Sequence, residues 1–265
     1  MYRSFYVADF DNYSNESFKD FKNYSNESFK DFNNCINEFF KEFDNYSNES
    51  CKESDDCINN KETISVDKIL KKHFPNFKCD IFLSHAHKDI EKVVNLAIFL
   101  EKKYDCKVFV DSIFWENIYD ILKKIDDDYC LIGNDTYDYD KRNFTTSNLF
   151  LILNAALHKM IEKSYYFFFL ETKQSIDENK KLISPWIFSE LSFATQVKQG
   201  DEPKPENKLF SIEKLFLKKE KLFLEKNICS EKLKEDLKKL EFSFLIPELN
   251  HILSYEEFLK LINDN

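Results

Sequence analysis

Ser84, His85, His87 and Asp89 follow directly on an apolar run, and these residue types at this spacing support two different chemistries. Imidazole and carboxylate ligands in the order His85-x-His87-x-Asp89 can converge on one ion, as at the start of a metal-dependent hydrolase site. The position that would carry a further imidazole is Ile90, and the other histidines, His73, His158 and His251, stand far from it in the sequence. That leaves the metal reading short of ligands. The second chemistry is nucleotide contact. A hydroxyl and an imidazole at the end of a buried strand suit it, because ligands of open α/β sheets collect just past the carboxyl ends of the strands.

A second candidate is Glu190. Ser184 and Pro185 read as an N-cap followed by proline in the first turn, so that Ile187, Leu191 and Ala194 turn inward. Trp186 and Glu190, four residues apart, share another face. Spacing by itself fits an indole and an acid side by side at a site, and it also fits the commoner case of a solvated Glu beside a half-buried Trp. Asp111 ends a second short apolar run. Arg142 lies in a polar stretch, 126–146, that reads as an irregular loop, of a length that is unusual unless it serves a site or stays disordered.

The elements that must position these residues alternate. Strands are expected over 79–84, 107–110, 165–170 and 242–246, with helices over 89–104, 115–125, 148–162, 185–199 and 255–262. Strand and helix in turn, with strands apolar throughout, argue for a doubly wound parallel α/β sheet covered on both faces. Polar loops are expected over 173–181 and 198–208. A Lys/Glu-rich stretch, 211–240, within an insertion spanning about residues 206–240, reads as one or two added surface helices.

Composition narrows the function classes. The chain has 265 residues with a net charge of −10, and the first 60 residues carry 13 Asp and Glu against 6 Lys and Arg. The acidity is therefore local, and there is no basic face of the kind a nucleic acid would require. With 28 Phe and only 2 Gly, at 133 and 200, a sizeable core is available, but neither a dinucleotide fingerprint nor a P-loop can be built. An odd count of 7 cysteines at irregular spacing, and no apolar leader over residues 1–10, lead to the expectation of a cytoplasmic protein. No apolar run approaches the ~20 residues of a membrane span.

Residues 1–63 are expected to form an acidic, Phe/Asn/Ser-rich repeat extension, separate from a domain over 64–265. The ten residues 12–21 recur at 23–32, and their first half returns at 45–50. The period of 11 places Phe10, Tyr13, Phe18, Phe21 and their successors on one half of a helical wheel, as in a weakly right-handed supercoil. The Asn-Tyr-Ser-Asn-Glu-Ser blocks are poor helix formers. A flexible tether and an amphipathic docking helix are therefore both open.

Four ordered motifs carry a family resemblance. Cys79-Asp80-Ile81-Phe82-Leu83-Ser84-His85-Ala86-His87-Lys88-Asp89, then Lys107-Val108-Phe109-Val110-Asp111, Arg142-Asn143-Phe144-Thr145-Thr146 and Ser184-Pro185-Trp186-Ile187-Phe188-Ser189-Glu190-Leu191 resemble, in this order, the motifs of bacterial Toll/interleukin receptor (TIR) domains over residues 78–262. The resemblance implies a flavodoxin-like fold and cleavage of NAD+, as substrate with no further cofactor and no metal, at the bond between nicotinamide and ribose. It implies that Glu190 is catalytic, holding the ribose hydroxyls and stabilising an oxocarbenium-like transition state. It further implies that Trp186 stacks on the nicotinamide or adenine, that Ser84 and His85 line the cleft, and that Asp111 and Arg142 belong to a loop covering it. The product would be ADP-ribose or a cyclised form, which in Thoeris-type anti-phage defence is a messenger for a downstream effector. Such enzymes act after self-association. The alternative within the family is a TIR scaffold without catalysis, and outside it the metal hydrolase of His85, His87 and Asp89. The insertion and the stretch 173–182 depart from the family pattern.

Overall fold

A computed structural model describes residues 3–8, 10, 58–59, 63–197 and 251–254. Five strands form one sheet: β1 (Arg3–Ala8), β4 (Ile81–Ser84), β5 (Val108–Phe109), β8 (Tyr166–Leu170) and β9 (His251–Ser254), with two short strands, β2 (Ile58–Asn59) and β3 (Thr63–Ile64), paired separately. The order in the sheet is β5-β4-β8-β1-β9, and every pairing is parallel. The fold is therefore α/β with a parallel sheet, as the alternating pattern predicts.

Both faces of this sheet are covered, which explains why its strands are apolar without alternation. Phe5, Val7, Ile81, Leu83, Tyr166 and Phe168 point to one face and meet Val93, Leu96, Ala97 and Leu100 of α2 (Ile90–Tyr104). Tyr6, Phe82, Phe109, Phe167 and Phe169 point to the other face. There they meet Ile69 of α1 (Val66–His73), Ile121 of α4 (Ile118–Tyr129), Met160 and Ile161 of α5 (Tyr139–Lys163), and Ile187 and Leu191 of α6 (Pro185–Gln196). With few small residues available, the layers are spaced by rings. Phe82 stacks on Phe167 with centroids 5.5 Å apart, and Phe5 on Phe168 at 5.0 Å. Each such ring removed from water stabilises the fold by about 1.5–3 kcal/mol.

The connections leaving β4 and β8 matter most for function. β4 continues through a 3-10 turn, His87–Asp89, into α2 on the first face, whereas β8 leads to α6 on the second. Two neighbouring parallel strands whose following helices depart to opposite faces leave a crevice at their carboxyl ends, the usual ligand position in such sheets.

Three expectations are corrected. Residues 3–8 are not part of a separate extension: β1 lies inside the sheet, with Phe5 against Phe168 of β8 and His251 of β9 in register. Phe10 is also a core residue, and its N–H donates to the Glu171 carbonyl at 2.8 Å. The local pattern of a short strand cannot announce its partners, and the repeats that follow it dominate the composition. Second, residues 126–146 are not an irregular loop. α4 runs to Tyr129, a tight hairpin pairs β6 (Leu131–Gly133) with β7 (Thr136–Tyr137), and α5 starts at Tyr139, capped by the Asp138 carboxylate accepting from the Lys141 N–H. Third, a strand occupies residues 251–254, which the sequence pattern leaves as a connection. The polar stretch 173–181 forms a turn closed by a bridge between Ile176 and Leu182, both buried against the second face. The repeats, the insertion at 206–240, the loop 198–208, the expected strand 242–246 and the helix 255–262 lie outside the described residues. Among the described residues no helix is long and apolar enough to cross a membrane.

The place of β1 generates a test. Phe5→Ala is expected to lower unfolding free energy in urea by about 3–5 kcal/mol, the cost of emptying a packed aromatic site. A residue in a detached extension would change it by almost nothing.

Candidate active site

The crevice beyond β4 and β8 holds a buried carboxyl. Ser184 caps α6 by accepting from the Ile187 N–H, and Pro185 occupies the first turn. This fixes the rotation of α6, so that Ile187, Leu191 and Ala194 pack on the sheet and Glu190, three residues beyond Ile187, is carried inward with them. Glu190 is only 4% exposed. The Ser84 Oγ at the end of β4 donates to Glu190 Oε2 at 2.5 Å. Ser84 faces α6 because side chains alternate along a strand, and Phe82, two residues earlier, lies on the same face.

A third element completes the group. α3 (Asp111–Phe114) begins just after β5, and its first residue sets a half-exposed carboxylate near His85. Burial holds the Glu190 carboxyl well above the usual carboxylate range, the Asp111 charge pushes it further up, and the hydrogen bond from Ser84 opposes both. His85 lies beside Asp111. Its Nδ1 is 3.1 Å from the Leu83 carbonyl oxygen and 3.9 Å from Asp111 Oδ1, while Nε2 is 3.0 Å from Ser112 Oγ. Both neighbours of Nδ1 are acceptors, so Nδ1 carries a proton; in the neutral ring Nε2 then accepts from the Ser112 hydroxyl. Ser112 carries no motif, and only its place after Asp111 at a strand end could have drawn attention to it.

The structure thus brings Ser84, His85, Asp111 and Glu190 together. Trp186 lies one turn earlier on α6, half-buried, its ring edge-on to Phe150 of α5 at 5.2 Å. Arg142 is elsewhere. It lies in the first turn of α5, its Nε donates to Asp126 Oδ2 at 2.9 Å, and its guanidinium lies over the Tyr137 ring. Thr145 donates to the same buried Asp126, so Arg142 belongs to a clamp between α4 and α5 and not to a loop across the crevice.

The His85, His87 and Asp89 side chains diverge. His87 is exposed, and Asp89 is buried, accepting from Thr172 Oγ1 at 2.6 Å with Lys92 Nζ 3.9 Å away. Asp89 ties the start of α2 to the segment after β8. Among the described residues no three His, Cys, Asp or Glu side chains gather as a metal-binding group. A second polar network joins α5 to α6 beside the site: His158 lies flat on Phe193 at 4.1 Å, its Nε2 is 3.0 Å from Ser189 Oγ, and Ser189 donates to Asn154 Oδ1. It holds the residue preceding Glu190.

No family model, curated protein or solved structure matches the chain. The chemistry of the site therefore rests on its own geometry. A buried carboxyl with one hydroxyl donor and no cation paired with it among the described residues attracts positive charge, either a proton or a cationic group.

That arrangement fixes the sign of a stability effect. The folded-state pKa of Glu190 is raised, so the ionised carboxylate costs stability as pH rises above its unfolded value, and the cost disappears on acidification toward that value. Glu190→Gln is expected to raise unfolding free energy at neutral pH by about 1–3 kcal/mol, the scale of an uncompensated buried polar group. The gap should close as the pH falls toward the ordinary carboxylate range. Thermal melts across pH check both the sign and the closure.

Proposed function

We propose that this chain is a TIR-type enzyme that cleaves NAD+ at the bond between nicotinamide and ribose, acting as a nucleosidase or ADP-ribosyl cyclase. The observation that carries the reading is the hydrogen bond from Ser84 to Glu190. It unites the tip of the first motif with the acid of the fourth across 106 residues, at the crevice where a nucleotide would enter. The sheet gives further support. In the order β5-β4-β8, the strand after α2 lies on one side of β4 and the next lies on the other, which is the 2-1-3 half of a flavodoxin-like sheet. Its departure is the fourth place, taken by Arg3–Ala8.

In this reading the positive charge of the nicotinamide ring moves onto the ribose as the ring leaves. The Glu190 carboxylate stabilises that charge from a fixed position, with no reorganisation of solvent. Ser84 holds one carboxylate oxygen and leaves the other for the ribose hydroxyls. Trp186 offers its half-buried indole for stacking on a base, and Asp111 stands at the mouth. NAD+ is the substrate, copies of the chain assemble through TIR–TIR contacts, and an effector that senses the nucleotide product is the downstream partner.

A second reading, a TIR scaffold without catalysis, draws support from the surface of α5. Phe144 and Leu151, two turns apart, are largely exposed there, and Tyr119 and Ile132 of the neighbouring elements are exposed as well. Apolar side chains presented to solvent along one helix face fit a protein contact.

One assay separates the two. Purified full-length protein, titrated upward in concentration, is expected to release nicotinamide from NAD+. Glu190→Gln should lose at least about a hundredfold in rate with its fold intact, and Ser84→Ala about tenfold. The pH dependence of kcat/KM should show an acid limb, activity rising as the Glu190 carboxyl loses its proton, at a pH above the ordinary carboxylate range. Absence of nicotinamide release at every concentration would leave the scaffold.

A further inference from the structure

Over its middle turns α5 is apolar around its whole circumference. Eight of the nine residues 149–157 are apolar, and a helix of that pattern is normally enclosed on every side. The inner side of α5 is enclosed, with Leu149, Ala156 and Leu157 buried. The outer side is not: Leu151 is 68% exposed and Phe144, two turns earlier, 72%. Among the described residues eight large apolar side chains stand in water, and six of them, Tyr119, Leu131, Ile132, Tyr139, Phe144 and Leu151, belong to α4, the β6–β7 hairpin and α5. These elements are consecutive and α4 packs on α5, so one strip of surface carries nearly all of the exposed apolar area, the mark of a contact site.

The rim of the strip selects its occupant. Residues 126–142 carry six Asp against Lys141 and Arg142, and Arg142 is already engaged by the buried Asp126. A second copy in a two-fold contact would set these aspartates against their own images. The repeats over 11–57, with 12 Asp and Glu against 5 Lys, would be repelled for the same reason. Of the stretches of this chain outside the described residues, only 208–240 has a positive balance, 10 Lys against 6 Asp and Glu. Among those lysines Ile212, Leu215, Phe216, Leu222 and Phe223 fall within about one third of a helical wheel, with Leu217 and Leu224 apart from them.

We propose that residues 208–240 dock along α5 of the same chain, their apolar residues on Phe144 and Leu151 and their lysines against the aspartates of 127–140. This holds whatever reaction the crevice performs. The tethers suffice: residues 198–207 lead from the end of α6, which packs directly beside α5, and residues 241–250 lead on to β9. Ten extended residues reach about 33 Å. Attachment to the same chain holds the segment at about millimolar effective concentration, so a contact of modest affinity stays closed. Another protein reaches this face of α5 only after the segment leaves it, and salt, by screening the lysines from the aspartates, favours that departure.

Carbodiimide coupling, which joins a lysine to a carboxylate in contact with it, tests the docking in full-length chain mixed from light and heavy-isotope preparations at low salt. Mass spectrometry should find bonds between lysines of 208–240 and Asp127, Asp128, Asp135 or Asp140, both halves of each bond carrying the same label. Leu151→Asp, at an exposed position, should abolish these bonds with the thermal melt unchanged. Trypsin should then cut within 208–240 at least about tenfold faster than in the unaltered chain, since cleavage follows the open population. Lys218→Glu with Lys221→Glu leaves α5 untouched and should weaken the coupling of the remaining lysines in the same way. Bonds of mixed label would give the face to a second copy, and bonds from Lys19, Lys22, Lys30, Lys41 or Lys52 would give it to the repeats. Either result overturns the proposal, as does absence of bonds from 208–240 to these aspartates or a tryptic rate that is the same in Leu151→Asp.

Discussion

A carboxyl placed under a helix, among Ile187, Leu191 and Ala194, is a costly object, since removing its charge from water is opposed by several kcal/mol unless something compensates it. The Ser84 hydroxyl supplies one hydrogen bond, and burial favours the protonated carboxyl for the rest. Every other feature near the site serves to keep Glu190 where it cannot relax. The cap at Ser184 fixes the start of α6, the sheet fixes its inner face, and the Ser189, His158 and Asn154 network fixes its side against α5. A flexible helix would let the carboxyl turn outward to water, and its affinity for positive charge would vanish.

The sheet is what makes such a position available. Two adjacent parallel strands, β4 and β8, send the chain to opposite faces, so no helix closes the gap above their ends and polar side chains can converge there. The rest of the sheet contributes rigidity. Its strands are filled with phenylalanine and tyrosine whose rings pack on one another across β1, β4, β5 and β8, and an interior packed at crystal density transmits little slack to what stands on it. That β1 comes from residues 3–8 means the opening of the chain is part of this support.

Legibility varied with how local each determinant was. The strands at Ile81–Ser84 and Tyr166–Leu170, and the helices at Ile90–Tyr104 and Pro185–Gln196, could be read within a residue or three because apolar runs and helical periodicity are properties of neighbours in sequence. Glu190 could be named but not placed. Periodicity put it on the Trp186 face, whereas the helix turns it inward because the residue three positions earlier is a core residue. Arg142 shows the reverse error: polar neighbours looked like a loop, yet the Asp138 cap and the buried Asp126 draw them into a helix and a clamp. The triplet His85, His87 and Asp89 looked like a ligand set until the strand ended at Ser84 and a 3-10 turn sent its members in different directions.

What the sequence alone determined is the inventory: a parallel α/β core rich in Phe and nearly free of glycine, a capped helix carrying an acid, and polar groups at strand ends. Hydrophobic period, capping chemistry and composition act over a few residues and are written in order along the chain. Only the tertiary structure decided that Arg3–Ala8 is an inner strand, and that Ser84 meets Glu190 while the next residue, His85, lies near Asp111. The physical reason is that strand partnership and the meeting of side chains across a sheet are set by burying both faces of all strands at once, a condition that no local pattern of residues contains.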